Sequence, residues 1–339
     1  MKVEVTHTIG QPVAQVTFET PLPLPETFTS PQGLQLNRPS LIQAAKRIRD
    51  TVQGFSDAQY LMDLLTKDSL SALHIQNVFT KDHNLICPQS MVDKNEGAGW
   101  HQVSSLVAYL IEAFDLFNIS YGCENDGELF IHLFPKEGGD DDAKKSRKNL
   151  RGHTDGSVLP LTGQENLEDL PPGPDLIILI GMQNEKSVPT RVHPLSRIIR
   201  ALKPDSIRML QENDFVFEPQ STFNLPNLVV MGQPVITESD DGFLIRYSHS
   251  KVTYKGNQPA TKDALIDLQE CIRTTAHDVV LKPGDILFIN NRTSIHGRAQ
   301  VSEEDASAVR WLMRTYCQRD DAKRYKTNLK RPYALDARH

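Results

Sequence analysis

The amino-terminal third of the chain carries apolar residues at helical spacing. Ile42, Ala45, Ile48 and Val52 recur three or four positions apart within LIQAAKRIRDTVQG. Such spacing gives a helix one apolar stripe, so we predict a helix here that starts after a cap at Ser40 and packs its stripe into a core.

The segments before and after this helix differ in composition and in the spacing of their apolar residues. Residues 18–40 are rich in Pro and Thr, which predicts an extended arm on the surface. Two more helices are predicted at residues 57–67 and 100–117. The second of these has an apolar stripe made of Val103, Leu106, Leu110 and Phe114.

After residue 118 the pattern changes to short apolar runs separated by Gly, Pro, Asn and Asp. Runs of this kind, rich in Ile, Leu, Val and Phe, are typical of strands. The runs are ELFIHLFP, LIILIGMQ, NLVVMG, GFLIRYS, HDVVL, DILFINN and AVRWLMRTYC. Two helices interrupt them, KDALIDLQECIRTTA and PLSRIIRAL.

This order predicts a mainly β fold with flanking helices (α+β), a sandwich or a jelly roll. We expect one domain over 1–339. Residues 1–118 form an amino-terminal arm and helical support, 119–317 form the core with loop insertions, and 318–339 form a polar, loosely packed tail. The charged loop at 136–148 and the loop at 162–175 flank the candidate site described below, as mobile loops often do.

Composition narrows the class of protein. The 339 residues are 39% hydrophobic and 24% charged, which suits a globular chain. The net charge of −6 argues against general nucleic-acid binding. No apolar run is long enough to span a membrane, and the first residues lack the apolar core of a signal peptide. Four widely separated cysteines are typical of a reduced, cytoplasmic protein.

The candidate chemistry begins at RGHTDGSVLP, where His153 and Asp155 lie two residues apart. Two ligands at this spacing near a strand end point the same way. With 11 His and 43 acidic residues in the chain, about one such match arises by chance. Alone, the pair fits an exposed turn at least as well as half of a metal site.

The second half of the chain contains features that favour the metal site over the exposed turn. LKPGDILFINNRTSIHGRAQ contains a turn, an apolar strand and then His296 followed by Gly297. A glycine here would let other molecules approach the histidine closely. Arg310 and Arg314 follow, four apart on one strand face. Buried guanidiniums need partners, which carboxylate ligands or structural ion pairs would supply.

These motifs, in this order along the chain, resemble those of the Fe(II)/2-oxoglutarate-dependent oxygenases, and among them those of the clavaminate synthase-like group of amino-acid hydroxylases. The resemblance covers roughly residues 120–317. It implies a double-stranded β-helix (jelly-roll) core. It also implies Fe(II), with 2-oxoglutarate and O2 as cosubstrates, and hydroxylation of an unactivated C–H of a small amino acid.

The resemblance also implies roles for individual residues. His153, Asp155 and His296 match the iron ligands. Arg310 matches the arginine that holds the far carboxylate of 2-oxoglutarate, assisted by the hydroxyl of Thr190. The substrate-binding candidates are Arg314 for the α-carboxylate, Glu124 (with Glu128 as second choice) for the amino group, and Ser248, His249 and Ser250 for the side chain.

Two departures from the group bear on the substrate. Many members have Glu where this chain has Asp155, a change that keeps the ligand chemistry. Relatives that take a guanidinium side chain resemble D-x-D where this chain has Ser248-His249-Ser250. We therefore expect a free amino acid with a neutral polar side chain.

Several alternatives remain open at this level. The same fold can act on arginine or lysine, or perform desaturation or cyclisation. Halogenation is disfavoured because Asp155 is present. A non-catalytic β-sandwich binding protein would have both histidines as ordinary polar residues. A zinc hydrolase is disfavoured because no hydrolytic base pattern accompanies them.

Overall fold

The computed structural model describes residues 1–8, 10–25, 31–80, 86–88, 90–92, 99–135, 150–164, 170–255, 258–300, 310–319, 327–328 and 331–336. Their helices are α1 Pro31–Leu36, α2 Arg38–Thr51, α3 Phe55–Thr66, α4 Trp100–Ala113, α5 Leu195–Ala201, α6 Pro204–Leu210 and α7 Pro259–Thr274. The predicted loop at 136–148 lies outside the described residues, as does part of the loop at 162–175.

The strands make up most of the regular structure after residue 114. They are β1 Val3–Thr6, β2 Val13–Phe18, β3 Ala72–Gln76, β4 Phe117–Tyr121, β5 Ile131–Leu133, β6 Leu150–His153, β7 Leu176–Asn184, β8 Thr190–Pro194, β9 Phe215–Phe217, β10 Val230–Gln233, β11 Ile236–Ser239, β12 Gly242–Ile245, β13 Val252–Tyr254, β14 His277–Val279, β15 Ile286–Asn290, β16 Ser294–Arg298, β17 Arg310–Gln318, β18 Thr327–Asn328 and β19 Arg331–Leu335. All seven predicted runs contain a strand, and both predicted helices are present, so the mainly β prediction is confirmed.

A ten-stranded sheet forms the larger layer, in the order β1-β2-β3-β15-β7-β17-β4-β19-β18, with β5 also pairing with β17. Its central strand β7 is buried on both faces. Ile178 and Ile180 contribute to a core shared with α2, α3 and α4, whereas Ile177 and Leu179 contribute to a second core. Strand alternation thus lets one sheet support two cores.

The second core lies between this sheet and a four-stranded sheet in the order β14-β8-β16-β6. Val192 of β8 and Ile295 of β16 join Leu287 of the large sheet in that core. Helices α5, α6 and α7 also pack into it, through residues such as Ile198 and Leu268. A three-stranded sheet, β10-β9-β13, and the β11-β12 hairpin complete the described sheets.

The amino-terminal segment differs from the predicted arm and helical support. Strands β1, β2 and β3 extend the large sheet, and β2 runs parallel to β3. The alternation of buried Ala14, Val16 and Phe18 explains why β2 pairs. The sequence interpretation missed this pattern because the following prolines dominate the segment.

The boundaries of α2 also correct the prediction. The helix begins at Arg38, with Asn37 at the cap position and no side-chain cap bond, so Ser40 is not its cap. Leu41, Ala45 and Ile48 form its buried stripe, and Ile42 is exposed. Pro39 in the first turn suits a helix start, because the amide that proline lacks has no intrahelical partner there.

The carboxy-terminal segment is not loose where it is described. Strand β19 runs parallel to β4, and Tyr333, Ala334 and Leu335 are buried. Their side chains join both hydrophobic cores. None of the helices in the described part of the chain combines the length and apolar composition needed to cross a bilayer.

Candidate metal centre and substrate site

Two neighbouring strands bring the predicted metal ligands together. His153 ends β6 and pairs in register with His296 of β16. Asp155 follows two residues later, in the turn after β6. One ligand atom from each of the three residues lies within 4.8 Å of the others, which makes a compact N, N, O donor set.

The carboxylate of Asp155 uses its two oxygens differently. Oδ1 lies 3.3 Å from His153 Nε2 and 4.0 Å from His296 Nε2. Oδ2 accepts hydrogen bonds from Arg314 Nη1 at 3.2 Å and the Tyr316 hydroxyl at 3.1 Å. One oxygen therefore faces the histidines while the other is anchored.

Burial and neighbouring charges set the protonation of these ligands. Burial opposes ionisation of Asp155, but Arg314 and the two histidines hold the pKa of its carboxyl below the ordinary range. Burial, with a contribution from His153, lowers the pKa of His296 to about 3. The site therefore presents an anionic carboxylate and a neutral imidazole at neutral pH, the forms that bind metals.

Two glycines allow β6 and β16 to approach. A Cβ at Gly297 would lie 2.5 Å from the Leu150 carbonyl oxygen, and one at Gly152 would lie 2.7 Å from Ile295 Cγ2. Gly297 is therefore needed for the close pairing of β6 and β16, and not, as predicted, for the approach of other molecules to His296. Since Gly152 faces Ile295 and Ile272, the alternate residues Arg151 and His153 point to the opposite face of β6.

Arg310 and Thr190 meet between the two sheets. Arg310 Nη2 on β17 donates to Thr190 Oγ1 on β8 at 3.1 Å, and Nε approaches the Val188 carbonyl at 3.5 Å. Among the described residues no carboxylate forms an ion pair with Arg310. Burial, and next the charge of Arg298, lowers the pKa of Arg310 to about 9. Within the described part of the chain, this buried cation therefore has no counter-ion.

Arg314 has the opposite environment. It shares a face of β17 with Arg310, as predicted, but Nη2 donates to Glu124 Oε1 at 2.6 Å and Nη1 to Asp155. Burial opposes its charge, but Glu124, Tyr316 and Asp155 raise the pKa of the guanidinium above its ordinary value. Its Nε atom is buried with no hydrogen-bond partner among the described residues. One donor therefore remains for a ligand.

The structure distinguishes the two candidate glutamates. Glu124 is buried beside Arg314 and Tyr316. Glu128 contacts Gln32, and its carboxylate lies 3.5 Å from Arg331 Nη2. Glu124 therefore lies at the site, whereas Glu128 takes part in packing of the terminal segments.

The Ser248-His249-Ser250 segment lies beside β6. Ser248 is buried and bridges to His153, and the His249 amide donates to the Gly152 carbonyl. His249 contacts Arg151 through Nε2 and the Tyr247 hydroxyl through Nδ1. Ser250 is exposed. Two of the three predicted residues thus lie next to the predicted metal ligand His153, with an arginine, Arg151, that the sequence interpretation did not include.

The sequence interpretation missed three other residues at the site. Tyr316 hydrogen-bonds to Glu124 and Asp155, and it lies two residues after Arg314, a spacing that strand alternation would have put on the same face. Asn291 and Gln220 bind the backbone around Asp155. No sequence spacing pointed to these amides.

Comparison with known proteins gives partial sequence matches. No protein-family model matches the chain. L-asparagine oxygenase from Streptomyces coelicolor is 25% identical over 149 residues, 42% of this chain and 43% of that protein. Clavaminate synthase 2 from Streptomyces clavuligerus is 28% identical over 95 residues, 28% of each chain. The chain therefore matches less than half the length of either curated relative.

Structural similarity extends over most of the chain. An asparagine oxygenase solved with Fe(II), (2S,3S)-3-hydroxyasparagine and succinate matches at a TM-score of 0.71 and 18% identity, over 88% of this chain and 89% of that one. The non-heme iron oxygenase OrfP, solved with Fe, succinate and (3S)-hydroxy-L-Arg, matches at 0.67 and 20% identity, over 88% and 91%. The predicted resemblance to the clavaminate synthase-like group is confirmed, and the chain shares this group's fold.

Proposed function

We propose that this protein is an Fe(II)- and 2-oxoglutarate-dependent dioxygenase that hydroxylates an unactivated C–H of a small, free amino acid with a neutral polar side chain. The observation that carries the proposal is the cluster of His153, Asp155 and His296, whose ligand atoms lie within 4.8 Å of one another. Two imidazoles and one carboxylate are the donor set typical of non-heme iron oxygenases.

The residues present fit an iron ion. His153 and His296 supply nitrogen, and Asp155 supplies Oδ1, while its Oδ2 is held by Arg314 and Tyr316. Anchoring one oxygen leaves the other to the metal and fixes the orientation of the ligand. When bound, Fe(II) with 2-oxoglutarate would supply the O2-dependent oxidation, which yields succinate and CO2.

Arg310 and Thr190 fit the far carboxylate of 2-oxoglutarate. The guanidinium is buried without a carboxylate partner in the described part of the chain, which costs free energy that an incoming anion offsets. Thr190 Oγ1, which accepts a hydrogen bond from Arg310, orients that guanidinium and can also donate to the same carboxylate.

Arg314 and Glu124 fit the charged groups of a zwitterion. We assign the α-carboxylate to Arg314, whose Nε donor has no partner among the described residues, and the ammonium to Glu124. Binding would exchange one internal ion pair for two pairs with the ligand. A free amino acid carries both charges on one carbon and so satisfies both residues at once.

The segment at Ser248 and His249 supports a side chain that accepts hydrogen bonds. Arg151 contacts His249 and shares the β6 face with His153. In the described residues no carboxylate pairs with Arg151. A cationic side chain here would meet a second cation, whereas a carboxamide or ureido oxygen would meet donors. The 3-hydroxyasparagine in the complex of one structural relative agrees with this preference.

We also propose that residues 1–339 form one oxygenase domain, in which 119–317 contain a double-stranded β-helix core. Strands β2 and β3 in the large sheet, and the pairing of β19 with β4, support a single folding unit. We expect one cooperative thermal transition. The four unpaired cysteines support a cytoplasmic site of action.

A substrate screen tests the proposal. The purified protein is incubated with Fe(II), 2-oxoglutarate and O2 and with each proteinogenic amino acid, ornithine or citrulline in turn. We expect succinate release and a product heavier by one oxygen atom for a neutral polar amino acid. Faster turnover of arginine or lysine than of asparagine, glutamine or citrulline would contradict the side-chain assignment.

A further inference from the structure

Two side-chain amides hold the backbone around Asp155. Asn291 Oδ1 accepts the Asp155 amide hydrogen at 2.9 Å, and its Nδ2 donates to the Asp155 carbonyl at 2.9 Å. Gln220 Oε1 accepts the Gly156 amide hydrogen at 2.9 Å, and its Nε2 donates to the Thr154 carbonyl at 3.1 Å. The backbone groups on both sides of this residue are thus bound by side chains.

We propose that Asn291 and Gln220 are positioning residues that preorganise Asp155 for metal binding. The inference rests on the proposed function. Asp155 follows the end of β6, where strand pairing no longer fixes the chain, and Gly156 has a φ of +64°. An aspartate side chain is short, so the orientation of its backbone decides where its carboxylate lies. The two amides replace the missing strand partners.

Asn291 also links the two segments that carry the ligands. It follows β15 directly and precedes the His296 strand. Its Nδ2 makes a second bond, to the Pro174 carbonyl at 2.9 Å, and its own amide donates to the Asp175 carbonyl at 2.9 Å. A shift of the Asp155 turn relative to β16 would therefore break several buried hydrogen bonds together.

An amide is the group that this arrangement requires. In both Asn291 and Gln220, the side-chain oxygen accepts a hydrogen bond from a backbone N–H and the side-chain nitrogen donates one to a backbone C=O. A carboxylate would place an anionic oxygen against the Asp155 or Thr154 carbonyl, and an aliphatic side chain would leave backbone groups unpaired. The two residues thus act through the backbone of Asp155 and need no contact with substrate.

Asn290 provides a matched control. This neighbouring amide is also buried, and it donates to the Leu65 carbonyl and Asp68 Oδ1 while accepting from the amides of Arg292 and Thr293. None of these partners is a predicted metal ligand. Replacing Asn290 should lower stability without moving the Asp155 turn, which separates a general loss of packing from a loss of positioning.

The experiment measures anaerobic Fe(II) affinity by calorimetry, the visible spectrum of the Co(II)-substituted site and the thermal midpoint. The proteins are the unchanged chain and the variants Asn291→Asp, Gln220→Met and Asn290→Ala. We expect Asn291→Asp and Gln220→Met to weaken Fe(II) binding by about tenfold or more and to alter the Co(II) spectrum. Asn290→Ala should lower the midpoint and keep the Fe(II) affinity.

Unchanged Fe(II) affinity in both Asn291→Asp and Gln220→Met would overturn the inference while leaving the proposed function intact. An equal loss in Asn290→Ala would also overturn it, because general destabilisation would then explain the effect. Gln220 is only half-buried, so we expect Gln220→Met to fold. This variant still tests the inference if Asn291→Asp does not fold. If the unchanged protein binds no Fe(II), the proposed function fails, and the inference with it.

Discussion

Arg314 and Glu124 form a buried ion pair, with 2.6 Å between Nη2 and Oε1, at the place where the charged groups of an amino acid are expected to bind. The pair is also joined to the metal cluster, because Arg314 and Tyr316 both donate to Asp155. Under the proposed function, substrate binding and the orientation of the proposed metal ligand Asp155 therefore depend on the same guanidinium.

Replacing Glu124 should therefore weaken substrate binding more than cosubstrate binding. Glu124→Gln removes the anion assigned to the ammonium, and losing one member of a buried charge pair costs about 2–5 kcal/mol. We expect the KM for the amino acid to rise by at least about tenfold, with the KM for 2-oxoglutarate unchanged. Glu128→Gln is the matched control, since Glu128 pairs with Arg331 away from the cluster. Equal effects of the two variants would contradict the assignment of Glu124.

Replacing Arg310 should abolish 2-oxoglutarate binding without lowering the stability of the ligand-free protein. Its guanidinium is buried beside the Thr190 hydroxyl and has no carboxylate partner in the described segments. Burying a charge without an ionic partner costs free energy, and an apolar side chain of similar volume removes that cost. Arg310→Met should keep or raise the thermal midpoint of the ligand-free protein and abolish the stabilisation by 2-oxoglutarate.

The control for this prediction is Arg246→Met. Arg246 is another buried arginine, but its guanidinium donates to the Leu159 carbonyl and to Gln233 rather than to Thr190. Its variant should retain the stabilisation by 2-oxoglutarate. If Arg310→Met keeps the same 2-oxoglutarate dependence as the unchanged protein, Arg310 is a structural residue.

The fold and the candidate site were predictable from the sequence to different degrees. The apolar runs located β7, β15 and β17, because strands buried on both faces read as continuous hydrophobic segments. His153 and Asp155 were predicted as ligands because residues two apart near a strand end point the same way, and the role of His296 followed from the resemblance. The pairing of Arg310 with Thr190 followed from the resemblance.

Other features depend on contacts that sequence spacing does not encode. Asn291 binds the backbone of Asp155, and Gln220 binds the backbone of the residues on either side of it, both across long sequence separations. β2 is short and followed by prolines, and β19 lies in a polar tail, so neither was predicted as a strand. Both are held in the large sheet by partners distant in sequence. Tertiary packing determined that these segments form strands, because their local sequence pattern was weak.

The affinity for 2-oxoglutarate should fall at alkaline pH. Burial lowers the pKa of Arg310 to about 9 from an ordinary value of 12.5. The cation binds the carboxylate, so affinity is retained below pH 9 and declines as the pH rises through that value. The stability of the ligand-free protein should show the opposite trend there, because the unfolded chain keeps the proton longer. Binding titrations between pH 7 and 10 test this, and a flat profile would argue against Arg310 as the anion-binding group.

The side-chain preference should respond to charge at Ser248. Ser248 is buried next to His153, whereas Ser250 is exposed. We expect Ser248→Asp, combined with Arg151→Glu, to shift the ratio of kcat/KM values toward arginine and away from asparagine or citrulline. Ser250→Asp is the control and should change the ratio little. No shift in the combined variant would mean that this segment does not contact the substrate side chain.

The most direct measurement is the fate of isotopically labelled O2 with the unchanged protein and with His296→Ala. Each protein is given Fe(II), 2-oxoglutarate and the amino acid that the screen identifies, and the products are analysed by mass spectrometry. The proposed function predicts one labelled oxygen atom in the hydroxylated amino acid and one in succinate, with both products absent in His296→Ala. Hydroxylation that persists at full rate in folded His296→Ala, or a folded unchanged protein that forms no labelled product with any amino acid, would contradict it.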